Sequence, residues 1–217
     1  MTRRRVPIVS TVVVLVCVAT MISLGVWQLH RLAWKEGLLA SYRANIERPA
    51  TSYPIGDPFD DALLFRTLTA NCTHVVSWQV TGGKGRDGKI GWRHIAHCAT
   101  GPGKADLLVD VGVGKEPAEE VAWAGGKVAG RASQEPDSYS FITRMMGGAP
   151  PLRLMIVADR PAPGLEASAP PDISSVPNNH LSYAIQWFLF AGTAVVIYAL
   201  ALMKRWSDEL AAGRASD

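Results

Sequence analysis

The sequence predicts a membrane protein of the α+β class: two transmembrane helices flank a β-rich extracytoplasmic domain built as a small barrel or sandwich. Three observations carry this. Two runs without a charged residue, Val6 to Leu29 and Leu181 to Met203, lie toward the two ends of the sequence. Between them, short β-type segments alternate with glycine-rich turns. The apolar fraction is 48% and the charged fraction 19%, a balance tilted toward membrane residence but too polar for a bundle of spans. A net charge of +3 gives no case for a nucleic-acid partner.

Residues 1–5 form a basic head with Arg3, Arg4 and Arg5. The run over 6–29 is long enough, at ~1.5 Å per residue, to cross a ~30 Å hydrocarbon core. A cleaved signal peptide would have a shorter apolar region of about 7–15 residues and a small-x-small cleavage site. Here the run leads instead into Trp27-Gln28-Leu29-His30-Arg31. The arginines favour a cytoplasmic N-terminus, and Arg31 and Lys35 weigh slightly against it. Trp27, Arg31, Trp34, Lys35 and Leu38 recur at helical spacing, so the helix is expected to continue beyond the lipid. Arg48-Pro49 and the segment Tyr53 to Pro58 end that periodicity.

The extracytoplasmic domain covers 30–158 and is β-rich from about residue 63. Expected strands are Phe65–Ala70 running on through His74–Val80, then Ile90–Ala99, Asp106–Val111, Lys127–Arg131 and Leu152–Ala158. The turns are Gly82 to Gly88, Gly101-Pro102-Gly103, Gly125-Gly126, and Gly147-Gly148 with Pro150-Pro151. Residues 119–124 and 137–145 are candidate short helices. Residues 159–180 form a proline-rich linker, extended and poorly packed. The second span covers 181–203, and Lys204-Arg205-Trp206 opens a cytoplasmic tail over 204–217. Both termini are then cytoplasmic and the central domain lies outside, which for a bacterial inner membrane means the periplasm.

Of the three cysteines, Cys17 lies in the first apolar run. The other two sit in the domain, where an oxidising compartment permits disulfides. A symmetric hairpin centred on Gly85 pairs Trp78 with Trp92, Val80 with Ile90 and Cys72 with Cys98. Residues facing each other in this way are close enough to bridge. Three alternatives stand beside the Cys72–Cys98 disulfide. Cys72, His74, His94 and Cys98 share one face in that register, with His97 on the other, and could hold zinc or copper. The histidines could be ordinary strand residues. Cys72 could be a nucleophile helped by a histidine and by Arg93 or Arg131, as in a membrane-anchored thiol transpeptidase, provided it is a free thiolate.

Two stretches at the joints carry a more specific signal. Leu24-Gly25-Val26-Trp27-Gln28-Leu29-His30-Arg31-Leu32-Ala33-Trp34-Lys35 leaves the first span. Asn178-Asn179-His180-Leu181-Ser182-Tyr183-Ala184-Ile185-Gln186-Trp187-Phe188 enters the second. Together they resemble the surfeit locus protein 1 family, assembly factors of cytochrome c oxidase. Weaker matches follow in order: Phe65 to Thr69, Gly91-Trp92, Leu107 to Gly112, and Val128-Ala129-Gly130-Arg131. The family usually places an Arg-Gly-Trp-Val-Pro-like run after the Leu-Val strand. This chain has Val111-Gly112-Val113-Gly114 there, and the Cys72/Cys98 pair is not part of the pattern.

The resemblance implies an assembly factor of the respiratory chain and no enzyme. The implied cofactor is haem a, transiently held, with His180 at the candidate ligand position. The implied partners are subunit 1 of the oxidase and haem a synthase, with membrane lipid around the spans. The residues support this in part. A neutral imidazole is a common axial ligand of haem iron. Arg31 and Lys35 could pair with propionates. Trp27, Trp34, Tyr183 and Trp187 could flank a ring, and His30 is a candidate second ligand. In the bland reading, Asn178 and Asn179 merely cap the second span. A scaffold that binds oxidase subunits without haem is the main competing function, and the thiol enzyme is the third.

Overall fold

The computed structural model describes residues 6–56, 59–101 and 105–215. The basic head, Asp57 and Pro58, the segment 102–104 and the last two residues lie outside these. The elements are α1 (Ile8–Glu47), β1 (Thr51–Ser52), β2 (Thr67–Cys72), β3 (His74–Lys84), β4 (Ile90–Ala99), β5 (Ala105–Gly114), β6 (Gly126–Gln134), α2 (Phe141–Met145), β7 (Leu154–Ala158) and α3 (His180–Ala215). The chain forms two compact units, Met1–Leu38 with Pro177–Asp217, and Leu39–Val176.

In the first unit, α1 and α3 are long and apolar enough to cross a membrane, their most apolar 18-residue stretches having mean hydropathies of 2.5 and 1.9. α1 continues beyond the uncharged run, as expected, and stops before Arg48-Pro49, where Pro49 disfavours helical backbone at the residue before it. α3 likewise runs beyond Met203 as one helix through the segment expected to be a tail.

The less exposed positions of α1 include Thr11, Val14, Val18, Met21, Gly25, Gln28, Leu32 and Lys35. Those of α3 include His180, Ala184, Trp187, Ala191, Ala194 and Tyr198. Steps of three and four residues define a seam of the coiled-coil kind. The helices are antiparallel: the hydroxyls of Thr11 and Tyr198 are hydrogen-bonded toward one end, and Gln28 meets His180 at the other. Small residues let the backbones approach. Ala184 and Ala191 are 1% and 5% exposed, and a Cβ added to Gly25 would lie 2.7 Å from the Phe188 ring.

The second unit is one seven-stranded mixed sheet of order β1-β2-β6-β7-β5-β4-β3. Every expected strand is present. Cys72 and Cys98 form a disulfide with Cα atoms 5.3 Å apart. β2 and β4 are four strand spacings apart in the sheet order, ~19 Å if the sheet were flat. The sheet therefore curls until its halves meet, as in a small barrel. One core cluster accordingly takes Leu68 and Cys72 from β2, Ala96 and Cys98 from β4, Val109 and Val111 from β5, Ala132 from β6 and Ile156 from β7.

Three expectations are corrected. The β3–β4 hairpin pairs Lys84 with Ile90, Val80 with His94 and Trp78 with Ala96. Its turn is centred on Asp87, because Gly85 N–H donates to Lys89 O, the Asp87 carboxylate accepts from Lys89 N–H, and Gly88 sits at φ 85°. Cys72 is thus on a different strand, and the bridge joins two halves of the curled sheet instead of closing a hairpin. Residues 119–124 form no helix: Val121 and Trp123 pack on the core at a period of two, the extended pattern. The proline-rich segment is extended but well packed. Ala162 N–H donates to Val111 O, Glu166 and Val113 exchange two backbone bonds, and Ala169 N–H donates to Lys84 O.

Candidate functional site

His180 is the first residue of α3 and lies on the seam, half-buried. Its Nδ1 is 2.7 Å from Oε1 of Gln28. The sequence motif contains Gln28 but assigns it no role. Its signal was position, since it repeats Met21 and Gly25 on the seam-facing side. Two residues before His180, the Asn178 side-chain oxygen is buried with no hydrogen-bond partner among the described residues. Asn179 gives its backbone carbonyl to Tyr183 N–H at 3.2 Å. Neither amide side chain is seen capping the helix.

The other expected residues divide. Lys35 is on the seam side of α1 and half-buried. Arg31 lies over the Trp34 ring at 3.9 Å, both on exposed positions, a cation–π contact that also keeps the guanidinium at the surface. Trp187 is half-buried and meets Phe190 edge-on at 6.2 Å. His30 is exposed. It follows Gln28 by two residues, ~200° around the helix, so the structure does not bring it together with His180. The imidazole has Nδ1 engaged by Gln28 and no other ring partner among the described residues, so Nε2 would be the nitrogen left to ligate a metal.

The domain's cysteine–histidine readings resolve differently. The disulfide consumes both sulfurs, so the Cys72/His74/His94/Cys98 metal site and the Cys72 nucleophile are both excluded in this state. No group of three metal-binding side chains occurs among the described residues. His74 is exposed, His97 Nε2 is 3.2 Å from Gln79 Oε1, and His94 is buried with Nε2 unpartnered among the described residues.

Sequence reasoning missed a buried charge. Asp110 on β5 is 0% exposed. Its carboxylate accepts from Ser168 Oγ at 2.6 Å and from Gly112 N–H at 3.1 Å. Arg93 Nε lies 2.9 Å from the second oxygen as an ion pair, though neither atom has a hydrogen bond among the described residues. Burial pushes the Asp110 carboxyl up to about 6, against the pull of Arg93, Ser168 and Gly112. A single Asp inside Leu-Leu-Val-Asp-Val-Gly gave no sign of a partner 58 residues away.

Two membrane-length helices joined through a curled, disulfide-bonded sheet domain, with a histidine at the mouth of the helix seam, define a two-span membrane protein. Residues 15–192 match the SURF1 family, and the chain belongs to that family. SURF1 proteins are membrane-associated assembly factors of cytochrome c oxidase. No curated protein gives a significant match to the chain.

Proposed function

We propose that this protein holds haem a at the extracytoplasmic membrane interface through His180 and aids its delivery to subunit 1 of cytochrome c oxidase. The observation that carries the reading is the placement of His180: it opens α3, faces the seam, and has its imidazole held by Gln28. There an amphiphilic porphyrin could keep its ring in lipid and its propionates in water. Bound haem a would supply the iron and the redox chemistry. The chain's own residues would ligate it through His180 and meet a propionate with Lys35. The basic flanks support cytoplasmic termini and a periplasmic domain in a bacterial inner membrane, and the disulfide suits an oxidising compartment. Haem a synthase is the natural donor in this scheme. The test is purification from a haem a-producing membrane. A haem a absorbance on the purified protein is expected; oxidase subunits carried along without haem would replace this reading with the scaffold.

The scaffold reading has its own support. The α2 loop exposes Phe141 at 80%, Ile142 at 63%, Met145 at 70% and Met146 at 78%. It is braced by the Asp137–Arg144 pair at 2.7 Å and by Ser140, which caps Thr143 N–H. A preformed apolar patch of this kind suits a partner surface. Phe141→Asp with Met146→Glu is expected to reduce subunit capture and leave the haem absorbance unchanged.

A further inference from the structure

We infer that Gln28 is the positioning residue for His180, and that Nε2 is the atom His180 offers to iron. This rests on the haem reading above and goes beyond it. Oε1 of Gln28 is 2.7 Å from Nδ1 of His180. An amide oxygen only accepts, so the proton of the neutral ring lies on Nδ1 and the lone pair on Nε2. Free histidine side chains favour the opposite tautomer, so the contact works against the intrinsic preference of the ring. A ligating histidine whose other nitrogen donates to a fixed acceptor is oriented and made more basic by it.

The acceptor sits on the helix seam. Gln28 is half-buried on the seam of α1, one helical turn from buried Gly25, where Phe188 packs so closely that a Cβ would lie 2.7 Å from its ring. The two motifs at the membrane joints therefore meet through this hydrogen bond as well as through the Gly25–Phe188 packing, with the acceptor on α1 and the ligand on α3. His30, on the same motif, has no part in it.

The first readout uses the haem-free full-length protein in lipid nanodiscs, by ¹⁵N NMR of His180 assigned through the His180→Ala variant. The expected signature is a protonated Nδ1 and an unprotonated Nε2. The second readout is haem a binding. Gln28→Leu should return the ring to the Nε2–H tautomer and weaken haem a binding about 10–100-fold. Gln28→Glu, a stronger acceptor, should keep the Nδ1–H form and lower the midpoint potential of the bound haem. A protonated Nε2 in the wild type, or an unchanged tautomer and affinity in Gln28→Leu, would overturn the inference. Undiminished haem in His180→Ala would instead overturn the haem reading, leaving the tautomer result to stand or fall alone. If Gln28→Leu does not assemble, Gln28→Asn, whose shorter amide cannot span the gap, takes its place with the same expected outcome.

Discussion

Asp110 shows how one buried group tunes the domain. Its folded-state carboxyl titrates at about 6 against an ordinary 3.8, so the folded form holds the proton more tightly than the unfolded chain. Ionisation above that range therefore costs stability, and the domain should gain on the order of 3 kcal/mol from this group as pH falls from above 6 toward 4. Asp110→Asn keeps an acceptor for Ser168 and Gly112 and should flatten that dependence. Unfolding curves at pH 5 and 7.5 for both proteins check it, and identical pH profiles would refute the assignment. Gly130 is a steric case. A Cβ there would lie 2.0 Å from the carbonyl oxygen of Val157 on the neighbouring strand. Gly130→Ala is expected to cost about 1–3 kcal/mol, visible as a lowered unfolding midpoint. Gly130 and Arg131 belonged to a weak motif whose purpose was invisible in one dimension. Arg131 donates to Ile46 O at 2.9 Å and Phe65 O at 3.2 Å, and Tyr42 packs on Phe65 at 4.8 Å between ring centres. Two distant motif fragments thus secure the end of α1.

The helices were legible as elements because hydropathy and helical period are local properties. Their pairing was not. His30 and Gln28 are neighbours in sequence, and only the seam separates their roles: one faces α3 and the other faces away. A sequence shows that histidines are present; which one meets a partner depends on ~100° per residue of rotation and on the small residues that set the contact line. The seam gives a direct check. With Cys17→Ser removing the exposed native thiol, Thr11→Cys and Tyr198→Cys should cross-link within one chain in membranes. Gly25→Val should lower that yield severalfold by displacing Phe188. Cross-linking that persists undiminished would place the helix contact elsewhere.

At the scale of the molecule, the strands and their order of occurrence could be read from turn residues, whereas the closure could not. The disulfide partners were named through a hairpin register that the Asp87-centred turn rules out. They meet because the sheet curls, a consequence of strand twist accumulated over five strands. The packing of the proline-rich segment was hidden for a related reason: its backbone bonds go to Val111, Val113 and Lys84, far away in sequence. Closing a loop of 26 residues, the Cys72–Cys98 bond should contribute about 3–4 kcal/mol. The double replacement by serine should lower the denaturant midpoint accordingly without removing the protein from the membrane.

The placement of His180 at the mouth of the seam is the centre of this account, and one comparison tests it. Wild-type protein and His180→Ala are purified side by side from the same haem a-producing membrane, and haem a per protein is read by absorbance. A haem a band is expected in the wild type, and its loss in a variant that remains inserted and disulfide-bonded. Equal haem a in the two proteins would contradict it.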